Sequence, residues 1–254
     1  MKTHHSSNLR WLATACLSIA SLSAQAQITN GGFEFGLSGW TTFGDVSTQA
    51  NTAAGSGAGA AKLFLTTAGL EADEFDSAGV LIGPFNASRI SAVVVGSAGG
   101  LETLNGNAIG AFDAFGLFAY EGSLARQSFS AQAGDILSFV WNFGTRDTGL
   151  DHAFVVIDGV VTSLSGSSRP TQMGSGFDLL QTGFRSFSTT FSTTFSTSGT
   201  HSLAFGVVDL NDSAVRSSLS VDQVQISAVP EPSSGALTLL GLALTGFFVR
   251  RLKP

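Results

Sequence analysis

The chain of 254 residues has a formal net charge of −6, only 12% charged residues, and an excess of 31 Gly and 21 Phe. That much apolar surface can offset the entropy of ordering, which excludes a disordered chain, and the scarcity of Leu/Glu/Lys runs excludes a helical bundle. Between Gln27 and Val229 the only cations are Lys62, Arg89, Arg126, Arg146, Arg169, Arg185 and Arg216, outnumbered roughly two to one by carboxylates, so a phosphate backbone is repelled and nucleic acid is excluded as a partner.

Residues 1–26 read as a secretory signal peptide. Lys2 and Arg10 make a basic start, Trp11 to Leu22 an apolar core too short to span a bilayer, and Ser23-Ala24-Gln25-Ala26-Gln27 a small-x-small cleavage site. Cleavage is expected after Ala26, with Ala24 as the other small residue and Gln27 as the new N-terminus. Cys16 is the single cysteine and lies inside this segment. Ala13-Thr14-Ala15 before it lacks the Leu of a lipoprotein signal. The mature chain therefore has no disulfide, Cys-ligated metal or thiol nucleophile.

Residues 27–228 read as one antiparallel β-sandwich. Alternation at period two predicts strands at Lys62 to Thr66, Ile90 to Val95, Phe112 to Tyr120, Asp135 to Phe143, Thr200 to Val207 and Leu219 to Ile226. Leu137, Phe139, Trp141 and Phe143 share one face of their strand, and His201, Leu203, Phe205 and Val207 one face of theirs. Ala153 to Ile157 is apolar on both faces, which suits a central strand turned by Asp158-Gly159 into Val160-Val161. Phe187, Phe191 and Phe195 are spaced by four, compatible with a helix or a strand, and the dense Ser/Thr between them favours strand. Gly/Ala/Ser stretches at 53–61, 96–100 and 163–176 read as loops. Many short strands with tight turns give an all-β, jelly-roll-like fold class.

The start of the mature chain, Asn30-Gly31-Gly32-Phe33-Glu34 followed by Leu37-Ser38-Gly39-Trp40, resembles the opening of galactose-binding-like jelly rolls, including carbohydrate-binding modules. Leu219-Ser220-Val221-Asp222-Gln223-Val224 is similar to their closing strand. The resemblance implies a jelly roll and a structural calcium ion, with Glu34 and Asp222 supplying carboxylate oxygens and backbone carbonyls the remainder. Sugar binding calls for exposed aromatic faces beside polar groups. Trp40, Trp141, Phe143 and Tyr120 are available, but Trp141 alternates with core Phe and Leu, and Trp40 reads as packing. No sugar-binding residue is singled out.

No catalytic residue is assigned. Outside the signal peptide the histidines are His152 and His201, and no Gly-x-Ser-x-Gly elbow, His-Glu-x-x-His helix or phosphate-binding Gly loop is present. The acidic run Glu71-Ala72-Asp73-Glu74-Phe75-Asp76 lacks the spacing of an EF-hand and reads as a solvated loop. An alternative to a non-enzymatic protein is an extracellular hydrolase of polysaccharide centred near Asp147, Asp151 and His152. Another is a structural protein that self-associates through the Phe187 to Phe195 strand.

Residues 229–254 carry the most specific pattern. Val229-Pro230-Glu231-Pro232 leads through Ser233-Ser234 into the uncharged run Gly235 to Val249, closed by Arg250-Arg251-Leu252-Lys253. As a helix the run would measure roughly 22 Å against a hydrocarbon core of about 30 Å, a short span that the basic end assists by snorkelling from the cytoplasmic side. Pro-Glu-Pro, apolar stretch and Arg cluster in this order resemble the PEP-CTERM sorting signal. That resemblance implies processing near Pro230 to Pro232 by a membrane-embedded exosortase, with the chain as substrate. The expected product is a cell-envelope, cell-surface or extracellular protein, made from an inner-membrane-anchored precursor and binding or organising exopolysaccharide.

Overall fold

The computed structural model describes residues 27–50, 59–70, 86–145, 149–166, 185–213 and 215–228, together with Gly241. The expected signal peptide and C-terminal membrane helix, the acidic run 71–76 and Asp147 lie outside the described residues. Eleven strands and one short helix follow in order: β1 Thr41–Phe43, β2 Asp45–Ala50, β3 Ala61–Thr66, β4 Val93–Val94, α1 Leu101–Asn105, β5 Ala119–Ala131, β6 Ile136–Thr145, β7 His152–Ile157, β8 Val160–Ser163, β9 Arg185–Thr194, β10 Gly199–Leu210 and β11 Ser217–Ser227.

Two antiparallel sheets result. One has the order β1-β5-β10-β7-β8 with β4 also on β5, and the other β2-β3-β11-β6-β9. From β5 to β7, and again from β8 to β11, the chain passes back and forth between the sheets, as a jelly roll requires. The crossing from β1 to β2 is made at Gly44, whose φ is 81°; an added Cβ there would lie 2.4 Å from Ser123 Oγ. Only glycine accepts both the conformation and the close approach.

Leu137, Phe139, Trp141 and Phe143 all face the interior and are buried, as their alternation predicts. From the opposing sheet Leu203, Phe205 and Val207 meet them. Phe139 packs edge-on against Phe205 and stacks on Phe191 of β9, both at 4.8 Å between centroids. The expected Phe187 to Phe195 strand is β9, which ends at Thr194 and lies at the edge of its sheet. Trp40 is 8% exposed and packs on Phe33 and Phe205, so it belongs to the core. Asp158 and Gly159, with φ of 50° and 80°, make the expected tight hairpin between β7 and β8.

Two expected strands are corrected. Ile90 to Val95 pairs only at Val93–Val94. Phe112 to Tyr120 is mostly a turn, because Phe115 and Gly116 adopt positive φ and Asp113 Oδ1 accepts the N–H of Ala119 (2.8 Å), which starts β5. The 13-residue β5 itself was not anticipated. Its interior positions include Ser123 and Gln127, so apolar periodicity is broken where side chains bond to other segments.

Candidate functional site

The outward face of the β5-containing sheet is crossed by rows of residues set by register. One row runs Phe43, Leu124, Gly206, Phe154; the next Thr41, Arg126, Ala204, Val156; then Ser128 opposite Ser202, and Ser130 opposite Thr200. Side chains become polar from row to row along the same strands. The apolar rows are covered by the segment 95–118, which carries α1. Leu101 and Phe112 from this cap are fully buried against Leu124, Phe154, Val156 and Ala204. Gly206 leaves room for the Phe154 ring, whose nearest atom would sit 2.3 Å from an added Cβ.

Glu102 pins the cap. Its carboxylate is fully buried, Oε1 accepts the N–H of Phe112 (3.0 Å) and Oε2 that of Gly96 (3.2 Å), so one side chain ties together both flanks of α1. At the far end of the helix Asn105 donates to Asn107 (2.7 Å), and Asn107 donates to the carbonyl of Gly159 in the β7–β8 turn (2.9 Å).

Where the cap stops, a groove of about 340 Å³ opens over the polar rows. Ala204 and Val156 lie on its floor; Thr41, Arg126, Ser128 and Ser202 come from the sheet; Asn105 comes from the cap and Gly159 from the turn. Arg126 is half-buried, and its guanidinium lies 5.4 Å from the centre of the Phe43 ring. Beside the groove, Asp158 accepts from Ser202 N (2.9 Å) and bonds His201 Nδ1 (2.7 Å). Burial works to raise the Asp158 carboxyl, but the bonds to His201 and Ser202 and the His201 charge outweigh it and leave the group below its usual range. His201 is held in turn by Thr197 O (3.1 Å) and packs on Phe195.

Asp151 and His152 are held by different parts of the fold. Asp151 is directed between the sheets, where it accepts from Ser217 Oγ, from Thr145 Oγ1 (3.3 Å) and from Leu210 N (3.3 Å). His152 lies under the cap, with Nδ1 3.2 Å from Phe112 O and its ring against Phe115 and Phe154. Burial pushes its pKa down, against the opposing effect of the Phe112 bond. Asp209, fully buried near Asp151, is raised well above the carboxylate range by burial and by the Asp151 charge. It was not anticipated as a special residue, since a single Asp after an apolar strand carries no local signal.

Glu34 and Asp222 come to the same corner. Glu34 is exposed and its Oε1 accepts Ala61 N (3.1 Å); Asp222 follows Val221, which pairs with Leu63, and so comes level with the buried Lys62. Asp222 Oδ1 accepts the N–H of Gln223 (2.7 Å), at a bulge where Gln223 has φ 55°. Among the described residues no three His, Cys, Asp or Glu side chains gather into a metal-holding group. Of the four aromatics considered for sugar stacking, Trp40, Trp141 and Phe143 are core and Tyr120 is 53% exposed.

Residues 228–252, which include Val229 to Pro232, Arg250 and Arg251, match the family described as a PEP-CTERM protein-sorting motif. The chain carries a PEP-CTERM sorting motif. It is thus an exported protein whose precursor is membrane-anchored and then processed by an exosortase. Among the described residues no helix is long and apolar enough to cross a membrane. No curated protein matches the chain. Similar solved structures include a carbohydrate-binding module, TmCBM61, in complex with β-1,4-galactotriose (13% identity, 81% of this chain and 100% of that one, TM-score 0.39). Others are a family 16 carbohydrate-binding module (12%, 79% and 99%, TM-score 0.37) and the enzymatically active domain of tailspike protein 4 of bacteriophage CBA120 (11%, 80% and 21%, TM-score 0.33).

Proposed function

We propose that the exported chain is a non-enzymatic surface or matrix protein that binds extracellular polysaccharide in the groove beside the cap. The groove carries the reading. It is an open trough on the sheet, lined by residues that carry hydroxyls, amides and a guanidinium able to hydrogen-bond sugar hydroxyls. Hydrolysis of a glycosidic bond uses two carboxyl groups flanking it, and none of the described residues lining the groove is Asp or Glu. Export by the PEP-CTERM route supports a ligand outside the cell.

Affinity electrophoresis of the processed protein in gels containing purified extracellular polysaccharides tests the proposal. Retardation by at least one polysaccharide, lost when Ser202→Trp fills the groove, is expected. Equal mobility of the two proteins in every gel would remove the groove from the function.

A structural calcium ion at the Glu34–Asp222 corner is a separate proposal. The two carboxylates offer hard oxygens, but calcium takes about six to eight, so backbone carbonyls of the opening turn and the Asp222 bulge would supply most of the shell. The competing role of Asp222 is that of counter-charge to Lys62. Calorimetric titration of metal-stripped protein separates them: heat with calcium that Glu34→Ala abolishes supports the ion, and no heat from the parent protein overturns it.

A further inference from the structure

We infer that Arg126 makes the groove a site for carboxylated sugars, so that the polysaccharide held is a uronate-bearing one; this rests on the groove being the binding site. Among the described residues, no carboxylate answers the charge of Arg126. Arg126 stands on β5 between Thr41 and Ala204 in the row where the cap ends. Among the described residues no carboxylate forms an ion pair with it and no acceptor takes a hydrogen bond from its guanidinium; its recorded side-chain contact is the Phe43 ring. In a body where acidic residues outnumber basic ones this is unusual, because carboxylates are plentiful and a half-buried guanidinium gains from meeting one. The nearby Asp158 is committed to His201 and Ser202.

The position of the guanidinium also decides against a simple stacking site. A neutral pyranose binds best over an open aromatic face. Here the face of Phe43 is taken by Arg126 at 5.4 Å, so the groove presents a fork of N–H donors where a stacking site would present a ring. Such a fork matches a carboxylate with two parallel hydrogen bonds, and the ring behind it limits the conformations the side chain must give up. The small Ala204 next to Arg126 leaves space for the sugar ring, and Ser128, Ser202 and Asn105 lie within the same groove to meet its hydroxyls.

Titration calorimetry of the processed protein with oligogalacturonate and with the same oligomer fully methyl-esterified tests this. Arg126→Gln, Arg126→Lys and Ser202→Trp are compared, with thermal melts to establish that each is folded. The acid is expected to bind about ten- to a hundredfold more tightly than the ester, the range for losing a charge-assisted hydrogen bond. Arg126→Gln should remove that preference, Arg126→Lys should keep part of it, and Ser202→Trp should abolish binding of both oligomers. If acid and ester bind equally and Ser202→Trp abolishes both, the carboxylate assignment is overturned and the groove reading survives. If Ser202→Trp leaves binding unchanged, the groove reading falls and the assignment to Arg126 with it; if neither oligomer binds while neutral polysaccharides retard the protein, the carboxylate assignment alone is overturned.

Discussion

Two halves of one sheet face differ in what their strands were built to meet. Under the cap, β5 and β10 present Leu124, Gly206 and Val208 to Leu101 and Phe112, and Leu124 and Val208 are fully buried. Two to four residues further along the same strands the positions are Arg126, Ser128 and Ser202, and the face is a groove. The register of β5 on β10 continues unchanged across the boundary. What changes is only whether a second layer is present to be buried against, so a β-strand's outward pattern records its covering segment as much as its own sheet.

Truncation gives the sharpest contrast. Phe154→Ala in the covered half empties a site closed by Phe112, with ring centroids at 4.4 Å, and by Gly206. It should cost about 3–5 kcal/mol in urea unfolding, whereas Ser128→Ala in the open half should stay within about 0.5 kcal/mol. Similar costs for the two would mean that the halves are not distinct.

Removing the pin of the cap should come next. Glu102→Ala leaves the buried N–H of Phe112 without its acceptor and should cost about 1–3 kcal/mol. Because Asn105 sits on the same short helix, hydrogen exchange should rise in segment 95–118 and not in β6 or β11. Uniform exchange across the sandwich would show that the cap is not a separate layer.

Acid should act on the halves in different windows, with the smallest effects. The His152 pKa is lowered in the folded chain, so the unfolded chain alone takes up a proton as pH falls through 6.5, and stability is lost from there downward until the folded value is reached. His152→Gln should erase this step. The Asp158 carboxyl is also lowered, so its contribution is present above 3.8 and is lost as pH falls through the folded value below that. Since Asp158 is about half exposed, Asp158→Asn should change stability at neutral pH by under about 1 kcal/mol. Unfolding curves from pH 8 to pH 3 check both; a step near 6.5 that survives His152→Gln would assign it elsewhere.

Features carried by neighbours in the chain were legible without a structure. Leu137 to Phe143, Leu203 to Val207 and Ala153 to Ile157 announce their buried faces by alternation, Asp158-Gly159 announces a hairpin, and Pro230-Glu231-Pro232 with Arg250 and Arg251 spells out a sorting address. The cap did not announce itself, because Phe112 to Tyr120 alternates well enough to pass for a strand until Asp113 and Gly116 are seen to turn it. Nor did the groove: Arg126, Ser128 and Ser202 are ordinary polar residues in sequence, and only cross-strand register sets them side by side where the cap stops. Period-two burial and turn chemistry are local and are written in consecutive residues. Which rows are covered, and which arginine faces the groove, depends on segments distant in sequence meeting in the folded chain.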